Sequence, residues 1–554
     1  MVSNIVRWAS PKRGQKSQAK EVISDINKAV SCNDTSNAIN SACKRFSHGN
    51  EEIHDVEIDK GAATALYKQL VLVMHQKNER IHELEKIVHA LSMVYRCSLL
   101  KRAYSVNDIG EDLITILFQV IVETDPTEDS KTLEHATRTI RLLSQADPLR
   151  VSIMGHDDFA DVFLYVLNRV PKELARVEAM YTIASLTFNT ENMERLRNNA
   201  ELLEAVVNAA ARAGENDELK KWAAATLWNL ACLPNNKMSL PTTPRLLDAL
   251  IELSQQSVCT FTTGFAVAAL RQLTLETENQ ILIASFADGI FIEILGDIVT
   301  RDDIDGDTRI KAMRCFKNII TSETSDLVMN MHPAVLSILT EMCVNDHEVD
   351  IRSNALDAVK EIINCGIVDE VPYYRDILMC MNTLIRSKSP IPRTAAISAL
   401  NRHCEIIENQ PDIIHYPGQL EALAALLIQE IADERDDGND SHVEEVVDIR
   451  VKEKNAVLDI FLKLVTSEEN REEIAKTNIL LTALSLLLPG DRDEYREVYD
   501  SKNSSIFQLV MTLASDPASQ EYIAKHDALM TCIMKLARTD DYVKQIFASL
   551  AMVM

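Results

Sequence analysis

The chain is 554 residues long, with 57 Lys and Arg against 83 Asp and Glu, a formal charge of −26. For the chain taken whole, that balance excludes nucleic-acid binding and disfavours anionic membrane surfaces, because its field repels phosphate. Only 14 Gly and 15 Pro argue against a turn-rich β architecture, while 46% hydrophobic residues are ample for a buried core.

Residues 1–20 form a separate zone. Arg7, Lys12, Arg13, Lys16 and Lys20 stand there without an acidic residue, a local charge of +5. The expectation is a disordered tail. A short organelle-targeting segment, or a nuclear or regulatory tail around Ser10, Pro11, Lys12 and Arg13, is the functional alternative. Residues 21–84 are expected to be a helical N-terminal cap region, with apolar residues at helical spacing in 19–30 and 62–75. The eleven Cys include no CxxC pair, which predicts reduced thiols in a cytosolic or nuclear protein. No apolar run reaches the roughly 18 residues a membrane span needs, so no transmembrane segment is expected.

From residue 85 to 554 one pattern recurs. It is clearest in 222–237, where the anchor Leu227 has Ala223 four residues before it, Leu230 three after and Asn236 nine after. Eight more anchors fit: Ile140, Ile183, Leu270, Phe316, Val359, Leu400, Phe461 and Val510. With Leu227 in its place, the successive spacings are 43, 44, 43, 46, 43, 41, 61 and 49. Offsets of −4, 0 and +3 share one helical face, so these residues are expected to enter a common core. The −4 place is Ala in the first seven repeats and then Val457 and Ile506, and the +3 place is Leu or Ile except at His403. Asn at +9 (Asn192, Asn236, Asn279, Asn409 and Asn470) predicts a helix stop and turn. A second apolar-periodic segment follows each stop, as in 202–211, 245–253 and 478–488. One such repeat cannot bury its apolar stripe alone, so the repeats must stack. A degenerate repeat around Val94 and a terminal half-repeat around Phe547 complete the array.

These repeats resemble armadillo repeats. The likeness rests on AAATLWNLA at 223–231, AVAALRQLTLETENQ at 266–280, AAISALNRH at 395–403 and the long run at 455–488. It implies an all-α fold, a right-handed α-α superhelix of about nine to ten repeats, whose third helices line a concave groove that binds other proteins. On the helical wheel the position two after each anchor, with those four and seven before it, faces away from the core. The partner-binding candidates so chosen are Tyr181, Trp222, Asn229, Gln272, Lys311, Arg314, Asn318, Asp357, Glu361 and Arg402. An Asn there offers a donor and an acceptor to a peptide backbone. Lys311 and Arg314 followed by Asp357 and Glu361 would suit a partner segment of mixed charge. In the family's nuclear-import adaptors a Trp stands four residues before the groove Asn. Tyr181, Ala225, Ala268 and Arg314 occupy that place in this chain, which argues against import of basic cargo.

The 61-residue spacing marks an insertion, with a local charge of −7 over 433–448, expected to be an exposed loop. Asp433, Asp437, Gly438 and Glu444 fall on calcium-loop positions, but Arg435 stands where a ligand should be, so no metal is expected. Arg402, His403, Cys404 and Glu405 set a thiol beside an imidazole, but neighbours on a helix diverge by about 100° and do not form a nucleophile and base. No nucleotide, zinc-protease or hydrolase motif is present. The expected function is therefore a non-enzymatic, cofactor-free, monomeric interaction scaffold. An exchange factor or chaperone for a GTPase is the alternative, and an import adaptor a weaker one.

Overall fold

Each repeat closes on one long helix carrying the anchor. In the computed structural model these helices are α1 (Ser130–Ser144), α2 (Glu173–Leu186), α3 (Asp217–Cys232), α4 (Thr260–Leu273), α5 (Gly306–Ile319), α6 (Val349–Cys365), α7 (Pro390–His403), α8 (Asp440–Leu464) and α9 (Ser504–Ser515). The structure describes residues 66–68, 70, 85, 87–89, 91–92, 111–127, 129–211, 216–255, 260–365, 373–428, 440–488, 504–538 and 541–553. The basic tail, nearly all of the cap region and the centre of the repeat at Val94 lie outside these. Among the described residues every regular element is a helix, and no single helix is long and apolar enough to cross a membrane.

A short helix and a medium one separate the long ones, as Thr190–Asn198 and Ala200–Ala211 do between α2 and α3. The chain divides into two compact halves, Met1–Gln280 and Ile281–Met554. In the first half α1 packs on α2, α2 on α3 and α3 on α4; in the second, α5 packs on α6, α6 on α7, α7 on α8 and α8 on α9.

The −4, 0 and +3 residues are buried in all nine long helices. Alanine at −4 lets neighbouring helices approach, and each fully buried Leu, Ile or Phe anchor contributes roughly 1.5–3 kcal/mol of transfer free energy. Side chains fix the helix starts: Asp129 accepts from the Thr132 N–H, Asn216 from Glu218 and Asp305 from Thr308, each cap worth about 1 kcal/mol.

The +9 asparagines act differently from expectation. Asn192 sits in the first turn of the following helix, and its Nδ2 donates to the carbonyl of Leu186 at 3.0 Å and to Arg150 of the preceding repeat at 2.9 Å. Asn279 repeats this with Leu273 at 2.9 Å and Lys237 at 3.0 Å, and Asn470 bonds Leu464 at 3.0 Å. The amide thus adds a side-chain donor to a carbonyl in the last turn of the long helix, where Leu186 and Leu273 otherwise accept only the turn N–H of Asn189 at 3.2 Å and of Glu276 at 3.3 Å. At Asn409 the assignment shifts by one residue: Gln410 is buried and donates to the Cys404 carbonyl at 2.9 Å, and Asn470 Nδ2 meets Gln410 Oε1 at 3.0 Å.

Two further expectations are corrected. Residues 440–448 of the acidic insertion are helical, forming the start of α8, while 433–439 lie outside the described residues. A turn of charged residues can extend a helix whose later turns are anchored by packing. In the terminal helix Asp541–Val553 the buried residues are Val543, Ile546 and Leu550, and Phe547 is only half-buried.

Candidate protein-interaction surface

The first half holds an aromatic stack on its long helices. Tyr181 of α2 lies face to face with Trp222 of α3, centroids 3.8 Å apart and planes 17° from parallel. Arg141 of α1 lies over the Tyr181 ring, 4.9 Å from its centre, and Lys221 lies 4.6 Å from the centre of the Trp222 ring. The Arg141 guanidinium also pairs with Glu178, which Arg138 meets at 2.9 Å. Tyr181 and Trp222 are both half-buried. Asn229 is only 7% exposed. Its Nδ2 donates to Thr187 Oγ1 at 3.0 Å and the Ala184 carbonyl at 3.3 Å, so its donor is committed to α2 and its neighbouring turn. Gln272 on α4 is half-buried.

In the second half the charge step resolves into contacts between long helices. Arg314 of α5 meets Asp350 of α6 at 3.1 Å, and Lys317 meets Asp357 at 2.6 Å. Lys311 turns back on Asp307 of its own helix at 2.6 Å. These are exposed pairs of the kind worth about 0.2–1 kcal/mol each. Asn318 is half-buried, and Glu361 is exposed on α6. Arg402 of α7 donates to Asn364 Oδ1 at 2.6 Å. Tyr181 and Trp222 are therefore brought together, and Arg314 and Asp357 share the α5–α6 face, whereas Arg402 stands at a separate feature.

That feature is a cleft of about 480 Å³ over α6, α7 and α8. Val359 and Ile363 of α6, Ala395 and Ala399 of α7, and Ile449 of α8 are among its apolar lining residues, and Arg402 is among the polar ones. Small side chains on α7 create the recess between the two flanking helices. One wall is a consequence of the insertion. Helices α1 to α7 each begin ten residues before their anchors, as Pro390 does before Leu400, but α8 begins twenty-one before Phe461. Ile449 belongs to that added stretch.

Beneath the cleft, Arg393 of α7 and Glu453 of α8 are 2.9 Å apart, with side chains 3% and 2% exposed. Arg393 also donates to the Ser387 carbonyl at 2.9 Å, and Thr394 to Glu453 at 2.9 Å. Arg393 lies seven before its anchor. Arg309 and Arg352 hold the same place and likewise donate to carbonyls at the end of the preceding helix, Val299 at 3.0 Å and Asp346 at 2.7 Å. The recurrence of Arg or Lys at −7 (Arg176, Lys220, Arg309, Arg352 and Arg393) is visible in the sequence.

His403 is fully buried. Its Nε2 faces the Ile363 carbonyl at 3.2 Å and its Nδ1 the Tyr374 hydroxyl at 3.2 Å. A carbonyl only accepts, so Nε2 carries the hydrogen and Nδ1 accepts from tyrosine. Burial pulls the imidazole down to about 4 and pushes the adjacent Cys404 thiol up to about 12, leaving both neutral.

Both halves repeat one three-helix unit, short, medium and long; a carboxamide bonds the end of the long helix at α2, α3, α4, α7, α8 and α9, and the Thr324 hydroxyl does so at α5. The fold is an armadillo-type repeat solenoid. No protein-family model and no curated protein matches this armadillo solenoid. Among solved structures it is similar to an engineered protein at 18% identity, covering 80% of this chain and 98% of that one with a TM-score of 0.43. A designed armadillo repeat protein in complex with the peptide (KR)4 aligns at 17% identity over 45% of this chain and 99% of that one, TM-score 0.38. A structure concerning a phosphorylation switch that controls the interaction between cadherin and beta-catenin aligns at 12% identity over 90% and 98%, TM-score 0.45. The assignment of the fold rests on the chain's own helices and their seams.

Proposed function

We propose that this protein is an interaction scaffold that holds a segment of another protein along the surface of its long helices. One observation carries the reading: the open apolar cleft over α6, α7 and α8, where Ile391 stands 69% exposed at the mouth. Rigid stacked helices position such a recess at little entropic cost, and a partner side chain seated in it gains the transfer free energy of the area it buries. The Tyr181–Trp222 stack offers the first half a second, flatter contact for side chains of a bound segment.

The test is a displayed random-peptide library panned on the full chain. Enriched peptides are expected to lose binding to Ala395→Phe, which fills the recess from its half-exposed wall, and to Ile391→Asp, which changes only the mouth. Circular dichroism checks that each variant keeps its helix content. Peptides that bind both variants as they bind the wild type would refute the reading.

A further inference from the structure

The cleft differs in charge from the molecule that carries it. Lys360, Arg402 and Lys452 are among its lining residues, and none of those residues is Asp or Glu, although the chain as a whole stands at −26. The sign is local. A recess of about 540 Å³ on the medium helices of the first half is lined by Asp161, Glu201 and Glu204 against Arg169. Each of the three cations already has an interaction partner, Lys452 included, so the rim offers positive charge and not unpaired groups. Lys360 lies 3.6 Å from Asp357, and Arg402 donates to Asn364 Oδ1 through one of the guanidinium's five N–H groups, which leaves a fork of donors for a carboxylate. Lys452 comes from α8 just after the added stretch, so the wall that closes the recess also supplies its third cation.

We propose that this cleft takes an acidic amphipathic segment of a partner protein, seating a large apolar side chain between α6 and α8 with flanking Asp or Glu against Lys360, Arg402 and Lys452. The proposal rests on the scaffold reading and adds the chemistry of the partner. The apolar lining supplies the affinity. The cationic rim selects the sign and speeds encounter, an effect that salt screens. A basic segment is disfavoured twice, by like charge at the rim and by loss of the carboxylate bonds.

The experiment uses the full chain and three synthetic peptides of about 14 residues, followed by fluorescence anisotropy. The first carries a central pair of leucines flanked by Asp and Glu. The second replaces those acids with Lys, and the third replaces the leucines with Ser. The acidic peptide is expected to bind, weakening about tenfold on Lys452→Glu or Lys360→Glu, and also on raising salt from about 50 to about 300 mM, with the Lys and Ser versions binding far more weakly. Equal or tighter binding of the Lys version overturns the proposal. So does an affinity indifferent to both charge reversals, or no binding of the acidic peptide up to about 1 mM. The library separates this failure from that of the scaffold reading. Enriched peptides that depend on Ala395 but are basic or uncharged would remove the charge assignment alone, whereas peptides indifferent to Ala395→Phe and Ile391→Asp would remove both.

Discussion

Glu453→Ala is the sharpest test of how the long helices are joined. The Arg393–Glu453 pair is almost wholly shielded from water, and the carboxylate also accepts from Thr394 at 2.9 Å and lies 3.4 Å from Arg450. Removing Glu453 leaves the Arg393 guanidinium buried with only the carbonyls of Ser387 and Lys388, at 2.9 and 3.3 Å, to hold it. A buried pair broken from one side costs about 3–5 kcal/mol. Glu453→Gln keeps the shape and one acceptor and is expected to cost about 1–3 kcal/mol. Arg393→Ala with Glu453→Ala removes both charges, so its cost should fall short of the sum of the single variants by about 2 kcal/mol. Stability in a stacked array is close to a sum of local terms. The assay is therefore denaturant unfolding together with amide exchange, with the loss of protection confined first to α7 and α8. A single-variant cost below about 1 kcal/mol, or strict additivity in the cycle, would refute the claim that the pair is desolvated and coupled.

Three other outcomes follow from the geometry. His403 is neutral in the fold, and its depressed value means the unfolded chain binds the proton more readily. Its contribution is fully present above about 6.5 and is lost as pH falls from there through about 4, a change on the order of 3 kcal/mol; a His403 resonance titrating near 6.5 in the folded protein would contradict this. Asn279→Ala removes the side-chain donor from the Lys237 carbonyl and leaves that of Leu273 with only the Glu276 N–H at 3.3 Å, and should cost about 1–3 kcal/mol by denaturant unfolding, with a smaller loss for Asn279→Gln if the longer amide still reaches. Trp222→Ala removes the ring on which Tyr181 stacks, and should cost at least about 1 kcal/mol beyond the area lost while leaving protection of α7 and α8 unchanged in amide exchange.

The core was legible because burial on a long helix imposes a period. Ala223, Leu227 and Leu230 announce their face, and the same offsets find eight further helices. The groove positions were less legible because a helical wheel gives direction without saying how near the next helix stands. Asn229 points along the expected side and meets Thr187 there, and Lys317 rather than Lys311 reaches Asp357. The insertion misled for another reason. Its acidic run reads as loop by composition, yet the added turns of α8 are continuous with a helix anchored by Phe461, and no local pattern reports the recess they help enclose. Ala395 and Ala399 read simply as close-packing residues, whereas the space they leave matters as much as the contacts they make.

The carboxamide staple between repeats has a consequence for how such a chain changes over time. Asn192 and Asn279 each grip a main-chain carbonyl of the repeat before them, and every residue type supplies that same carbonyl. The joint is therefore blind to the side chains of its upstream neighbour. Successive repeats can drift apart in sequence, or be copied and exchanged as whole modules, provided each brings its own amide in register. Recombination at that boundary would preserve the seam while altering the surface that meets a partner.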